Sequence, residues 1–466
     1  MIDYYGNEIT WVPKIEKSNT PLYIQIAECI AKDIEEGVLS SGAKLPPQRI
    51  IANYLNINHS TVTRAYKRCE ERGLIKGIIG SGTFVTSNAG IPDNVLSKEE
   101  DHVIEMGSVL PLYQINKHIE IEMKRINELV DYKLVLKYAP PEGHSKHRYI
   151  TSQWLTKNGI LTEPDNILIT SGSQNALSVL LMGLFNKGDR IAVDSFTYTG
   201  IKNITSLIGI ILIPVKSDRD GMDVDDLNKI CQREKVKGIY LIPSCHNPTS
   251  ISMPIERREA LSEVIKKNHM LLIEDGTFSF TEVELTTSLT DLLPEQSFYI
   301  HGTSKALSPA LRISYIRSPK HYVKKLVQVL NSLTWMASPL NAEIVSLFIK
   351  TSLYDKIIKI KLEELKKRNT IFNETMKGYD ILHSQFSMFR YVKLPSQLDD
   401  IIIENDCYKK GVQVFSSKRF SIGLNTEHNA LRIAISSPKS IEEMNEGLQI
   451  VKEVLDNHQN ERSIIV

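Results

Sequence analysis

Three side chains set the chemical question: Asp275, Lys305 thirty residues on, and Arg312 seven further. Asp275 closes the apolar run Leu271-Leu272-Ile273-Glu274, and Lys305 follows the run Phe298–His301 through the turn Gly302-Thr303-Ser304. An amine adds to an aldehyde, a carboxylate keeps a ring nitrogen protonated, and a guanidinium grips a phosphate through paired N–H bonds. Taken singly, these residues would suit a helix cap, a surface charge and an ion-pair partner. In this order, each just past a strand-like run, they point to one site, because ligands of open α/β sheets bind beyond the carboxyl ends of the strands.

Other residues fall at matching positions. After the run Ile167–Thr170, Ser171-Gly172-Ser173-Gln174 opens a helix-like stretch, where backbone N–H groups form a seat for an anion. Tyr198 follows another run and can stack on an aromatic ring. Asn247, in His246-Asn247-Pro248-Thr249, can donate to a ring oxygen, although Asn-Pro is also a plain turn signal. Thr303 or Ser304 can share the phosphate with Arg312. An aldehyde, a protonated ring nitrogen and a phosphate on one small molecule describe pyridoxal 5'-phosphate.

The elements that must carry these residues alternate. Strand-like runs at Ile167–Thr170, Ile191–Val193, Ile211–Val215, Gly238–Ile242, Leu271–Ile273 and Phe298–His301 are separated by helix-like stretches, the rhythm of an α/β domain with a largely parallel sheet. The greasiest stretch, Leu207–Val215, reads as a buried strand and is far too short to span a bilayer.

A second pattern occupies the N-terminal part. Ile26, Ile30, Ile34 and Val38 have the spacing of one helical face. A second helix is expected from Pro47 to Leu55, then a turn at Asn56-Ile57-Asn58, with Asn58 capping a third helix that turns Val62, Ala65, Tyr66 and Cys69 inward. His59, Ser60, Thr61, Thr63 and Arg64 are left on its opening turns, where a recognition helix meets bases and phosphates. Leu74–Val85 reads as two short strands around a Gly80-Ser81-Gly82 tip, a wing whose small residues let the backbone approach DNA. Arg64, Lys67, Arg68, Arg72 and Lys76 concentrate positive charge here, although the whole chain carries a formal net charge of only +1.

The 466 residues suffice for two or three domains. The expected organisation is a DNA-binding domain over 15–86, a polar linker over 87–101 and a ligand-binding domain over 102–466. Five scattered cysteines without C-x-x-C spacing argue against a zinc site and for a reducing compartment. Met1–Thr10 lacks a signal pattern, so the cytoplasm is expected, with no membrane attachment.

Two resemblances sharpen this reading. Pro21-Leu22-Tyr23, Leu45-Pro46-Pro47-Gln48-Arg49, His59-Ser60-Thr61-Val62-Thr63-Arg64-Ala65-Tyr66 and Gly80-Ser81-Gly82-Thr83-Phe84-Val85 resemble the GntR family of winged helix-turn-helix regulators. This implies a DNA contact from Arg49, while His59 stands where the family often has arginine. Thr170-Ser171-Gly172-Ser173-Gln174, His246-Asn247-Pro248-Thr249, Ile273-Glu274-Asp275, and Ser304-Lys305 through Arg312 resemble the fold-type-I aminotransferases. That implies a large mostly parallel sheet with a smaller C-terminal α+β subdomain. It also implies Lys305 as the aldimine lysine, Asp275 on the pyridine nitrogen, Asn247 on the ring hydroxyl and Tyr198 stacked on the ring. Arg312, Ser173, Gln174 and Ser304 would hold the phosphate, and Arg432, in Leu431-Arg432-Ile433-Ala434, would grip an amino-acid carboxylate.

The fusion resembles the MocR group of regulators. It implies a homodimer on a double-stranded DNA operator, sensing pyridoxal phosphate or an amine or amino-acid effector; the alternative is an aminotransferase acting on an amino acid. The chain departs from the aminotransferase pattern where a tyrosine usually follows the aspartate: Thr277 or, in another register, Phe278 stands there. Ser250 replaces the glycine of Asn-Pro-Thr-Gly, and Gly302 fills a slot often held by a phosphate-binding hydroxyl.

Overall fold

The computed structural model describes residues 11–15, 20–35, 38–39, 43–71, 74–78, 82–85, 103–282, 286–382, 384–423 and 428–463. The expected linker over 87–101, the Gly80-Ser81 tip and the stretch Met1–Thr10 lie outside them. The chain divides into two compact units, residues 1–98 and 99–466.

In the first unit, α1 (Leu22–Glu35), α2 (Gln48–Leu55) and α3 (His59–Glu71) surround Ile26, Ile30, Ile51, Val62, Ala65 and Cys69, all out of solvent. The left-handed Asn56 ends α2, a conformation asparagine tolerates, and Asn58 opens α3. The Asn58 Oδ1 accepts from the Ser60 N–H at 2.9 Å. Residues 38–39 lie outside α1, so its spacing does not govern them: Val38 is exposed, contrary to expectation, and Leu39 is buried instead. The wing is three-stranded, not two-stranded. β1 (Lys44–Leu45) pairs with β3 (Gly82–Val85), which also pairs with β2 (Ile75–Ile78), all antiparallel. A two-residue strand carries no readable periodicity. Ahead of α1, Trp11 is buried and its indole N–H donates to Asp33 at 2.6 Å.

The second unit is built on a seven-stranded sheet. In chain order its strands are β4 (Ile167–Thr170), β5 (Arg190–Asp194), β6 (Ile211–Val215), β7 (Val236–Leu241), β8 (Leu271–Asp275), β9 (Ser297–Gly302) and β10 (Ser314–Arg317). They lie side by side as β4-β10-β9-β8-β7-β5-β6. β10 runs antiparallel to both neighbours; the other pairings are parallel. Its direction matters, because β10 begins at the edge where the others end, so Arg312 joins the residues that follow β4, β7, β8 and β9. The expectation of a buried strand over Leu207–Val215 fails. Leu207 and Ile208 end the helix α5 (Thr199–Ile208), Leu207 is 82 % exposed, and β6 is an edge strand with Ile211 exposed.

The helix α4 (Ser173–Leu184) buries Ala176, Leu177, Leu180 and Leu181 against the sheet. Beyond the one-turn helix α6 (Thr303–Ala306) and β10, the long helix α7 (Leu353–Thr375) crosses two cores. Tyr354, Ile357 and Leu365 pack with the large layer, Phe372 with the C-terminal subdomain. That subdomain is a four-stranded sheet: β11 (Asp380–Ile381), β12 (Phe389–Lys393), β13 (Phe415–Ser416) and β14 (Ala430–Ala434), in the order β11-β12-β14-β13. Among the described residues no helix is long and apolar enough to cross a membrane.

Replacing the cap, Asn58→Ala, should cost the first unit about 1 kcal/mol. Hydrogen exchange of the α3 amides in the full chain measures this; unchanged rates in the first turn would contradict the cap.

Candidate functional site

The carboxyl edge of the large sheet gathers the residues singled out above. Asp275 ends β8 and is 6 % exposed; its Oδ1 accepts from the Thr277 N–H at 3.0 Å and its Oδ2 from the Tyr240 hydroxyl at 2.8 Å. Burial raises its pKa, while the Thr277 and Tyr240 bonds oppose that. A carboxylate has about four lone-pair sites, so acceptor capacity remains for a ring N–H. Tyr198 caps α5, with its hydroxyl donating to Gln174 Oε1 at 3.1 Å. A side chain at Gly200 would collide with the Tyr198 ring, so the glycine lets that ring lie over the backbone.

Lys305 is half-buried, with its amine turned inward to donate to the Val109 carbonyl. Burial, followed by the nearby Arg432 and Arg312 charges, lowers the amine to about 8 from 10.5. Arg432 is 5 % exposed; it donates to Asn247 Oδ1 at 2.9 Å and to the Gly107 carbonyl, and its Nε is buried without a hydrogen bond. Burial lowers Arg432 to about 9. Its guanidinium also lies over the Phe420 ring at 4.5 Å. Among the described residues no carboxylate comes within 4 Å of Lys305, Arg312 or Arg432.

Around the start of α4 the site is lined by backbone and small side chains. Gly172 caps α4 at φ +93°, without any side-chain hydrogen bond to the helix, and a Cβ there would strike the Arg312 guanidinium. Arg312 is exposed and donates to the Ser171 carbonyl at 3.1 Å. Ser173 lies 3.3 Å from the Thr277 hydroxyl, and a Cβ at Gly302 would fill the space where the Ser173 hydroxyl sits. The loss of a hydroxyl at Gly302 is therefore matched by one at Ser173. Thr303 is fully buried and its hydroxyl donates to the Ile313 carbonyl at 2.7 Å, tying α6 to β10; Ser304 is half-buried. Thr277, not Phe278, faces the site: Phe278 is buried edge-on against Phe389 at 5.2 Å between ring centres.

A helix N-terminus beside an arginine, an aspartate with spare acceptor sites and a surplus of positive charge match a phosphate, a protonated ring nitrogen and an anionic ligand. Sequence reading missed Tyr240, which reads as one more apolar residue of β7. It also missed the carbonyls of Gly107 and Val109, which reach the site from a loop tied by the Glu105 carboxylate, whose Oε1 accepts from the Gly107 and Ser108 N–H groups at 2.7 Å.

In the first unit, Arg49, His59, Ser60, Thr63, Arg64 and Gly82 are exposed and Thr61 is half-buried. Several of them are engaged: the Ser60 hydroxyl donates to Asn58 Oδ1 at 2.8 Å, the Thr63 hydroxyl donates to Gln48 Oε1 at 2.8 Å, bracing α3 on α2, and the Arg64 guanidinium lies 4.1 Å over the Tyr23 ring. Such stacking leaves the edge N–H groups of an arginine available.

Fold and site thus define a winged helix-turn-helix reader joined to an aminotransferase-type ligand fold. The family described as aminotransferase class I and II matches residues 101–450, and the one described as bacterial regulatory proteins, gntR family, matches residues 22–85. The chain is 34% identical, over 96% of its length and 97% of the relative's, to the HTH-type transcriptional regulator YdeF of Bacillus subtilis (strain 168). It is 25% identical to the HTH-type transcriptional regulator YjiR of Escherichia coli (strain K12), over 90% and 95%. A solved multiple substrate aminotransferase from Thermococcus profundus shares the fold: TM-score 0.70, 23% identity, covering 78% of this chain and 93% of that one. The chain belongs to the aminotransferase class I and II family and carries a GntR-family DNA-binding domain, the architecture of MocR-type regulators. That fold implies pyridoxal 5'-phosphate as its cofactor.

Tyr240→Phe removes one of the bonds that hold the buried Asp275 carboxylate, at a cost of about 1–3 kcal/mol. Urea unfolding of the variant checks this; an unchanged midpoint would show that Asp275 does not depend on the phenol.

Proposed function

We propose that the chain is a pyridoxal-phosphate-dependent transcription regulator, with Lys305 as the lysine that holds the cofactor. The observation that carries this reading is that Asp275, Arg312 and Arg432 all lie near Tyr198, and Arg312 and Arg432 near Lys305, in a chain that also bears a DNA reader. Asp275 would bond the ring nitrogen, Tyr198 would cover the ring, and Asn247 would donate to the ring oxygen. Ser173, Gln174, Ser304 and Arg312, with Thr303 bracing the turn beneath, would hold the phosphate. When bound, the cofactor supplies an electrophilic carbon and an electron sink. The effector is the cofactor itself or an amine or amino acid whose carboxylate meets Arg432.

The regulator acts as a homodimer. In one chain Arg312 and Gln174 are open to solvent at the phosphate end. Tyr138 and Trp335, 78 % and 63 % exposed, stack on each other at 5.7 Å, an exposed aromatic pair that suits a surface covered by a second copy. A dimer carries two winged helices to two half-sites of a double-stranded operator, with α3 in the major groove, Arg49 on the backbone and Gly82 at the wing. The Thr277 site lacks the phenol of an aminotransferase, which favours sensing over turnover. Its place of action is the cytoplasm, where the DNA is and where five free cysteines persist.

Two outcomes are expected. Lys305→Ala should abolish the visible absorbance of the bound cofactor, while Arg49→Ala should keep that band and weaken operator binding about tenfold; the same band in Lys305→Ala would refute the assignment. Only the free amine attacks an aldehyde, and Lys305 is lowered to about 8. The rate of cofactor uptake should therefore rise with pH and level off near that value. A rate still climbing toward the range of an ordinary lysine would contradict it.

A further inference from the structure

Lys361 lies on α7, 1 % exposed, and its amine donates to the carbonyls of Lys305 at 3.0 Å and of Leu307 at 2.8 Å. Those carbonyls bracket the end of α6, the single turn that carries Lys305. Among the described residues no carboxylate comes within 4 Å of this amine. Burying a lysine against carbonyls alone is costly. A methionine would fill the same core space without that cost, so the amine's two bonds are what distinguish this position.

The same face of α7 makes a second clamp. Seven residues on, about two turns, the fully buried Arg368 donates to the carbonyls of Ile435 at 2.8 Å and Pro438 at 3.1 Å. These lie just past β14, the strand that carries Arg432. One helix therefore fixes both the turn of Lys305 and the strand of Arg432.

We propose that Lys361 is a positioning residue for Lys305: by holding the carbonyls of residues 305 and 307 it fixes the turn from which the Lys305 amine reaches the cofactor. This rests on the reading of Lys305 given above. Burial, with the Lys305 charge nearby, lowers the Lys361 amine to about 7. An uncharged amine still has two N–H donors, which is the number of carbonyls it serves.

The test uses the full-length protein and pyridoxal 5'-phosphate, comparing the parent with Lys361→Met and Lys361→Gln by absorbance titration, visible circular dichroism per bound cofactor, and thermal melting. In the Met variant the cofactor should bind at least about tenfold more weakly, as expected for lost bonds from a buried polar group. Its visible dichroism should fall to about half or less of the parent's, because the ring is held at a different angle. A purely structural role would lower the melting temperature and leave the dichroism of the bound cofactor unchanged. Lys361→Gln, which keeps two N–H donors on a shorter stem, should recover part of both, and it carries the test if the Met variant does not fold. Parent-like affinity and dichroism in the folded variant would overturn the role of Lys361 while leaving Lys305 in place. A parent protein that shows no cofactor band would instead overturn the reading of Lys305, and the clamp with it.

Discussion

Positive charge gathered at one edge of a sheet, with Arg432 taken out of water altogether, is the condition that the rest of this site answers to. Lys305 and Arg432 meet main-chain carbonyls of Val109 and Gly107, which are dipoles, and the Glu105 carboxylate, beyond ion-pair distance, offsets only part of the Arg432 charge. Each cation lowers the cost of bringing in an anion and raises the cost of leaving the site without one. The fold is arranged to permit this. The reversed strand β10 delivers Arg312 to the edge where its neighbours end, and Gly172 removes the side chain that would push the guanidinium aside. Asp275, the acid of the site, is held by Thr277 and Tyr240 and keeps capacity for a ring nitrogen.

Much of this was legible in the sequence, for a physical reason. Asp275, Lys305 and Arg312 each end or follow an apolar run, and strand ends are the positions that an α/β sheet gives to ligands. The helices of the N-terminal unit were readable from their caps and spacing, with Val62, Ala65, Tyr66 and Cys69 all buried as expected. What was not legible depends on contacts between distant segments. Lys361 sits in a charged helical stretch, Ile360-Lys361-Leu362-Glu363-Glu364, where a lysine reads as solvated, and only the tertiary fold brings it to the carbonyls of Lys305 and Leu307. Tyr240 was hidden for the opposite reason, as an aromatic residue within an apolar strand. The Leu207–Val215 error arose because an apolar run does not reveal that a helix ends within it, nor that the strand which follows lies at an edge.

The two units have different chemistry, and sensing requires that they share free energy. A ligand shifts DNA affinity only as far as it binds one arrangement of the protein better than another, and the coupling is reciprocal. Lys305 and Arg432 belong to different layers of the second unit, the large sheet and the C-terminal subdomain. A ligand that engages both would bind best where the two layers take one spacing. The long helix α7, packed in both cores and clamped to both sites, gives that spacing a physical basis.

Footprinting of the purified protein on the DNA upstream of its own gene, with and without pyridoxal 5'-phosphate and with Lys305→Ala beside the parent, reads whether cofactor binding at Lys305 reaches the DNA. Protection should change with the cofactor in the parent and not in the variant. Protection that responds equally in both proteins, or no protection under any condition, would contradict it.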